Sequence, residues 1–139
     1  MKEESERPRV VLDTNIFVSS VFWLGKPHRI VELAIDKLIE VFTSPEILEE
    51  LENVLKRDFV EDHDFIESQT VLILEYAKVI RPVQKVQIVK DDPDDDKIIE
   101  CAIAAHASYI VTGDPHLLKL KDFQGIKIVN PDGFLKLFT

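Results

Sequence analysis

The chain has 139 residues, a formal net charge of −9 and 45% hydrophobic residues, which excludes a disordered protein and allows one domain with a real core. The acidic balance excludes a protein that grips duplex nucleic acid through a broadly basic surface. A nuclease stays open, because bound divalent cations would invert the field of a carboxylate cluster.

The start of the chain and its cysteine content indicate the compartment. Residues 1–8 are a polar leader with no apolar segment, so we expect no signal peptide and one domain over 1–139. No apolar run approaches the roughly 20 residues that a membrane span needs. Cys101 is the only cysteine, which predicts a buried thiol without a disulfide and a cytoplasmic protein.

The first predicted strand covers residues 10–12 and ends on Asp13. A short β-branched run that stops on an acid is typical of a buried parallel strand. The plain alternative is that Asp13, Thr14 and Asn15 form only a turn and a helix cap. Apolar spacing then predicts helices over 16–23 and 28–39.

The second predicted strand covers 41–44, and Ser44-Pro45 marks the start of a helix over 45–56. Helix periodicity puts Glu50 and Glu52 at the two edges of its apolar face. Either acid could reach the rim of a sheet from there, and periodicity does not choose between them. Both are also consistent with a solvated surface.

A further helix is predicted over 61–80, ending before Pro82, with apolar residues that suit the core or a subunit contact. A third strand is predicted over 86–89. His63 is expected on the surface.

The stretch 91–114 opens with a run of aspartates, continues as an apolar helix and a strand over 109–112, and ends on Asp114. A short helix over 116–120, with His116 facing solvent, a strand over 126–129 and a terminal helix from 131 follow. This alternation predicts an α/β fold, a single domain with a mostly parallel central sheet flanked by helices.

Four acids stand out by position: Asp13 and Asp114 after strands, Glu50 on a helix, and Asp96 at a helix start. In open α/β sheets, ligands bind at the carboxyl ends of the strands. Hard oxygen ligands indicate Mg²⁺ or Mn²⁺, although solvated aspartates and N-caps account for the same residues one at a time.

Three motifs resemble the PIN domain family of metal-dependent ribonucleases, in the same order: VVLDTN, SPEILEELENVL and DDDKIIECAIAAHASYIVTGDPHLL. The resemblance runs from Val10 to about residue 138 and implies an α/β/α sandwich. Within this family, the three motifs are most similar to the branch described as toxin components of toxin–antitoxin systems.

The resemblance implies a site that holds Mg²⁺ or Mn²⁺. It matches Asp13, Glu50, Asp96 and Asp114 with the four catalytic, metal-binding acids, which selects Glu50 over Glu52 and Asp96 over Asp95. Asn15 and Thr112 match the polar residues that support the site.

The resemblance further implies an RNA substrate, an antitoxin partner and a homodimer. Candidate cations for the RNA backbone are Lys26, Arg29, Lys119 and Lys121. Two other classes remain as alternatives. A receiver-type phosphoacceptor domain needs adjacent acids after the first strand, where only Asp13 stands, and a metal-free protein-interaction module would use the helix over 61–80.

Overall fold

The structure, a computed structural model, describes residues 7–59, 61–87 and 95–138. Its strands are β1 (Arg9–Leu12), β2 (Glu40–Thr43), β3 (Ala77–Val79), β4 (Tyr109–Val111), β5 (Asp122–Phe123) and β6 (Ile126–Val129). Its helices are α1 (Thr14–Phe22), α2 (Lys26–Ile35), α3 (Pro45–Asp58), α4 (His63–Tyr76), α5 (Asp96–Ala104), α6 (Pro115–Leu118) and α7 (Pro131–Lys136).

The six described strands form one sheet in the order β3-β2-β1-β4-β6-β5. All neighbours are parallel except β5 and β6. The chain passes from β1 to β2 to β3 in one direction across the sheet, and α1 to α4 lie in these two connections. The connection from β3 to β4 contains α5 and returns to the other side of β1. By the right-handed crossover rule, the two directions place their helices on opposite faces of the sheet. The predicted α/β class with a mostly parallel central sheet is confirmed.

Burial on both faces explains the composition of the central strands. Every residue of β2 and all of β1 except its first are buried, as expected of central parallel strands covered on both faces. The buried part of β1 is wholly apolar, whereas β2 also buries Thr43 and Glu40, which pairs with Lys78 at 3.0 Å. The next helix begins as predicted, because the Ser44 hydroxyl accepts a 3.2 Å hydrogen bond from the Ile47 N–H and Pro45 occupies the first helical position.

The predicted helix over 61–80 is too long. It ends at Tyr76, and Ala77–Val79 forms β3 against β2. The predicted third strand over 86–89 is wrong where the structure describes it, since residues 86 and 87 are not in a strand and 88–89 lie outside the described residues. No Gly or Pro separates α4 from β3, so pairing with β2 sets this boundary and local sequence does not.

Two smaller differences have local causes. The helix predicted over 28–39 ends at Ile35, because Lys37 adopts a φ of 61° and the Leu38 N–H bonds back to the Leu33 carbonyl at 3.0 Å. The short strand β5 was not predicted, and it pairs with β6 through a two-residue turn in which Gln124 and Gly125 both have positive φ.

Other sequence predictions concern buried or terminal residues. Cys101 is buried as expected, and burial raises the pKa of its thiol to about 12, partly offset by a hydrogen bond with Ser44.

Residues 1–6 of the polar leader and 91–94 of the aspartate run lie outside the described residues. None of the helices in the described part of the chain is long and apolar enough to cross a membrane.

The C-terminal helix closes the core over β4. Phe134 is fully buried, and its ring packs edge-on against Tyr109 at 5.5 Å and against Phe138 at 4.8 Å between centroids. Leu137 lies on the same helix end but is 55% exposed.

We expect Phe134→Ala to lower the free energy of unfolding by about 3–5 kcal/mol, because it removes a large buried ring and leaves a cavity. Urea denaturation followed by circular dichroism measures the loss as a lower midpoint with an unchanged slope. The matched control Leu137→Ala should change stability by no more than about 0.5 kcal/mol. Equal effects of the two variants would contradict this account of the core.

Candidate functional site

The strand order reverses direction between β1 and β4, and this switch point is where open α/β sheets place their sites. Leu12 pairs with Val111 at the carboxyl ends of the two strands. The Asp13 N–H continues this ladder with a 3.0 Å hydrogen bond to the Val111 carbonyl. Asp13 and the residues after Val111 are therefore held side by side by backbone hydrogen bonds.

Asp13 is a buried carboxylate, only 4% exposed. The Thr112 hydroxyl, fully buried itself, donates a 2.6 Å hydrogen bond to Asp13 Oδ2. Burial raises the pKa of Asp13, the hydrogen bonds from Thr112 and the Thr14 N–H oppose this, and the charges of Glu50 and Asp114 raise the pKa further. The charges of two other acids thus act on the Asp13 carboxylate.

Glu50 reaches this point from α3. It accepts a hydrogen bond from the Thr14 hydroxyl, next to Asp13, and its other oxygen lies 2.9 Å from the Lys97 Nζ. Glu52, the alternative left open by helix periodicity, instead forms an exposed pair with Lys56 at 2.9 Å. The first turn of α1 therefore contacts Glu50 directly.

Asp96 is buried at the first position of α5. It shares a cleft of about 560 Å³ with Glu50, between one face of α3 and the start of α5. The cations that line this cleft are Arg57, Lys85 and Lys97. The sequence-predicted candidates Lys26, Arg29, Lys119 and Lys121 are not among its lining residues, and Lys26 pairs with Asp132 at 2.8 Å.

Asp114 follows β4 and caps α6. Its N–H donates to the Thr112 hydroxyl at 3.0 Å, and its carboxylate accepts from the His116 N–H at 2.7 Å. One potential ligand atom from each of Asp95, Asp114 and His116 lies within 4.8 Å of the other two. Of the four sequence-predicted acids, only Asp114 belongs to this group.

Of the two predicted supporting residues, the structure brings only one into contact with the acids. Thr112 bonds Asp13, whereas Asn15 is exposed and its side chain makes no hydrogen bond to these acids within the described residues. The His116 side chain, which was expected to face solvent, is 43% exposed, and its Nδ1 lies 3.6 Å from an Asp114 carboxylate oxygen. The sequence signal for this contact is the position of His116 two residues after Asp114, in the first turn of α6.

Lys97 was also missed. Its place directly after Asp96 puts it at the start of α5, opposite Glu50 of α3. Because the two partners are 47 residues apart in the sequence, local sequence patterns do not predict their contact.

The family model described as "PIN domain" matches residues 9–116 of the chain. The curated relative "Uncharacterized protein MJ1680" of Methanocaldococcus jannaschii is 30% identical over 126 residues, covering 87% of this chain and 80% of the relative. The family match extends over the strands and helices that carry Asp13, Glu50, Asp96 and Asp114.

Two solved structures share the fold. VapBC2 from Rickettsia felis, solved bound to a DNA fragment from its promoter, has a TM-score of 0.64 and 21% identity and covers 88% of this chain and 98% of its own. PAE2754 from Pyrobaculum aerophilum has a TM-score of 0.57 and 12% identity and covers 94% and 88%. At these identities the similarity shows the fold alone.

We expect Asp13→Asn to raise the melting temperature at neutral pH in EDTA. Folding raises the pKa of Asp13 above its ordinary value of 3.8, so the native state binds more protons than the unfolded state between the two pKa values, and ionised Asp13 lowers the free energy of unfolding above them. Asparagine keeps an acceptor for Thr112 without the charge.

Differential scanning fluorimetry across pH tests this expectation. The gain should shrink as the pH falls through the raised pKa, because wild-type Asp13 is then protonated. Asp132→Asn is the control, since Lys26 and Lys136 lower the pKa of that exposed acid and its removal should not stabilise the protein. A destabilised Asp13→Asn protein at neutral pH would refute the assignment of an unfavourable buried charge.

Proposed function

This chain belongs to the PIN domain family, and from that premise and the geometry of its acids we propose that it is a metal-dependent endoribonuclease. PIN domains are generally metal-dependent nucleases. The observation that carries the proposal is the buried Asp13 carboxylate, on which the charges of Glu50 and Asp114 both act. Carboxylates gathered without a compensating cation are unfavourable, so such a cluster usually holds one.

The donor set fits Mg²⁺ or Mn²⁺, because carboxylate oxygens are the ligands these ions prefer. Asp13, Asp96 and Asp114 would bind the ion directly or through water, with Glu50 completing the cluster. When bound, the ion activates water for attack on a phosphodiester and stabilises charge on the phosphoryl oxygens. The supporting residue Thr112 fixes the Asp13 carboxylate by its hydrogen bond, and Asn15 is the second supporting residue carried over from the family.

The chain's own groups then do three things. Thr14 and Lys97 orient the two oxygens of Glu50, and the His116 N–H orients Asp114. Two of the three cations that line the cleft, Arg57 and Lys85, hold the RNA backbone. Burial keeps water away from Asp13, which strengthens its interaction with a cation.

We further propose that the enzyme acts in the cytoplasm as the toxin of a toxin–antitoxin pair. The similarity of the three sequence motifs to the toxin branch of the family supports this role, and so does the fold shared with VapBC2. An antitoxin partner would restrain a nuclease that is otherwise free to cut RNA.

The proposed homodimer would form through α4. Its side chains Val71, Leu72 and Leu74 are each about half exposed, and the adjacent β3 is an edge strand of the sheet. Apolar side chains grouped beside an open sheet edge favour contact with a second copy.

We expect light scattering to give twice the 16.0 kDa mass of the chain, and Leu72→Asp with Leu74→Asp to give a monomer, since buried charges oppose association. Val83→Asp is the control because Val83 is 95% exposed and lies outside α4. A wild-type protein that is monomeric at all concentrations would exclude this dimer.

The first test of the nuclease is cleavage of a labelled single-stranded RNA by wild type, Asp96→Asn and Asp95→Asn, each with Mn²⁺, Mg²⁺ or EDTA. We expect cleavage that requires metal and falls by about 100-fold or more in Asp96→Asn, because a charge that stabilises the transition state is lost. Asp95→Asn is the matched control and should retain activity.

Two results would contradict parts of the proposal. Loss of cleavage in Asp95→Asn with activity retained in Asp96→Asn would move the metal to the group formed by Asp95, Asp114 and His116. A folded wild-type protein without cleavage in any condition would favour the non-catalytic interaction module.

A further inference from the structure

Glu100 is a buried acid in the cleft that does not belong to the four acids of the proposed metal site. It is 7% exposed and stands four residues after Asp96 on α5, so the two side chains share one face of the helix. Both line the cleft of about 560 Å³. A buried carboxylate beside another acid is unfavourable unless it has donors, and Glu100 finds its donors in one loop.

The loop in question, which we call the cleft loop, covers residues 81–87 and contains no helix or strand. Val86 is partly buried and packs against the core, whereas the Lys85 side chain is 74% exposed. Among the described residues, one hydrogen bond fastens this loop to the rest of the chain: the Val86 N–H donates to Glu100 Oε2 at 3.0 Å. A loop with so few hydrogen bonds depends on each of them for its position.

The two oxygens of Glu100 hold consecutive residues of the cleft loop. Oε2 accepts from the Val86 N–H, and Oε1 lies 3.7 Å from the Lys85 Nζ. An ion pair with so exposed a lysine stabilises little, so the carboxylate mainly fixes the backbone of the loop. The ammonium group has three N–H bonds, and it can therefore meet a second anion while it stays beside Glu100.

This arrangement places a cation close to the acids. Asp96 and Glu100 are separated by about 6 Å along the axis of α5, and Lys85 contacts Glu100. Lys85 lines the same cleft as Glu50 and Asp96. A strand whose phosphodiester lies at the acids would therefore present a neighbouring phosphate to Lys85, as long as the cleft loop keeps its position.

We propose that Glu100 is a positioning residue, which holds the cleft loop against α5 so that Lys85 meets the RNA backbone. This inference rests on the proposed nuclease function, in which Lys85 binds the backbone, and it adds a residue that acts through Lys85. The chain has a net charge of −9, so attraction of phosphates depends on the few cations that are held in the cleft.

The charge of Glu100 and its contact with the loop predict opposite effects on RNA binding. As a negative charge in the cleft, Glu100 repels phosphate, so removal of the charge alone would strengthen binding. As the acceptor that fixes the cleft loop, its removal would release Lys85 and weaken binding. Glu49 supplies the comparison, because it is an exposed acid of α3 that lines the same cleft and makes no hydrogen bond to the described residues of the loop.

Trypsin tests the hold on the cleft loop without RNA. It cuts the Lys85–Val86 bond, whose N–H is the one that Glu100 accepts, so the loop must open before it is cut. Because a hydrogen bond to a charged group is lost, we expect Glu100→Ala to be cut there about tenfold faster in EDTA. Glu100→Gln keeps an acceptor and should stay close to wild type, as should Glu49→Ala. Mass spectrometry identifies the bond that is cut.

Anisotropy of a labelled single-stranded oligoribonucleotide, measured in Mg²⁺ at several salt concentrations, tests the effect on RNA. All proteins carry Asp13→Asn so that the RNA stays intact. Lys85→Ala should reduce the slope of log affinity against log salt by about 0.7, the loss of one phosphate contact on a single strand. Glu100→Ala should give the same reduction, with no further one when it is combined with Lys85→Ala. Glu100→Gln should keep the slope, and Glu49→Ala should not weaken binding.

A circular dichroism spectrum confirms that each variant is folded. If Glu100→Ala does not fold, Val86→Pro replaces it in the RNA measurement, because proline lacks the N–H that Glu100 accepts and the change leaves α5 intact. The expected reduction of the salt slope is the same.

Three outcomes would overturn the inference. They are equal cutting of wild type and Glu100→Ala by trypsin, faster cutting with an unchanged salt slope, or stronger RNA binding in both Glu100→Ala and Glu49→Ala. The second would leave Glu100 a purely structural role, and the third an electrostatic one. Neither measurement uses cleavage of RNA, so a wild-type protein that binds RNA without cutting it would contradict the nuclease and leave the role of Glu100 standing.

Discussion

The hydrogen bond from Thr112 to Asp13 is the interaction on which the site depends. It joins the residues that follow two neighbouring parallel strands, and its 2.6 Å length at a fully buried hydroxyl leaves the carboxylate little freedom. The pairing of Leu12 with Val111 sets this geometry before any side chain contributes. A shift of one residue in this register would turn both polar side chains to other faces of the sheet, so the core of the domain and its acids are specified together.

Repulsion between the acids is reduced locally but not removed. Each oxygen of Glu50 has a donor, from Thr14 and from Lys97, and Asp114 accepts from the His116 N–H. Asp13 has hydrogen bonds but no cationic partner among the described residues, and its pKa is accordingly raised, first by burial. The fold thus maintains an arrangement that a cation would stabilise, and the free energy of cation binding would offset the cost of assembling it.

The sequence predicted those parts of the fold that local signals determine. Short apolar runs ending on Asp13 and Asp114 and the Ser44-Pro45 start of α3 needed no tertiary information. Contacts between distant residues decided the rest. The boundary between α4 and β3 follows from the pairing of β3 with β2. The contact of Lys97 with Glu50 joins two helices, and the hydrophobic periodicity of a sequence carries no information on how two helices are placed relative to each other. The resemblance to a family, rather than helix angles, separated Glu50 from Glu52, which the structure finds paired with Lys56 on the surface.

The proposed RNA substrate would have to be bound without a broad positive field. With a net charge of −9, nonspecific attraction of phosphates is weak, and the cations of the cleft stand among acids. The cleft that holds Glu50 and Asp96 gathers Arg57, Lys85 and Lys97, so attraction of a phosphate backbone would be confined to the part of the surface at which the acids stand.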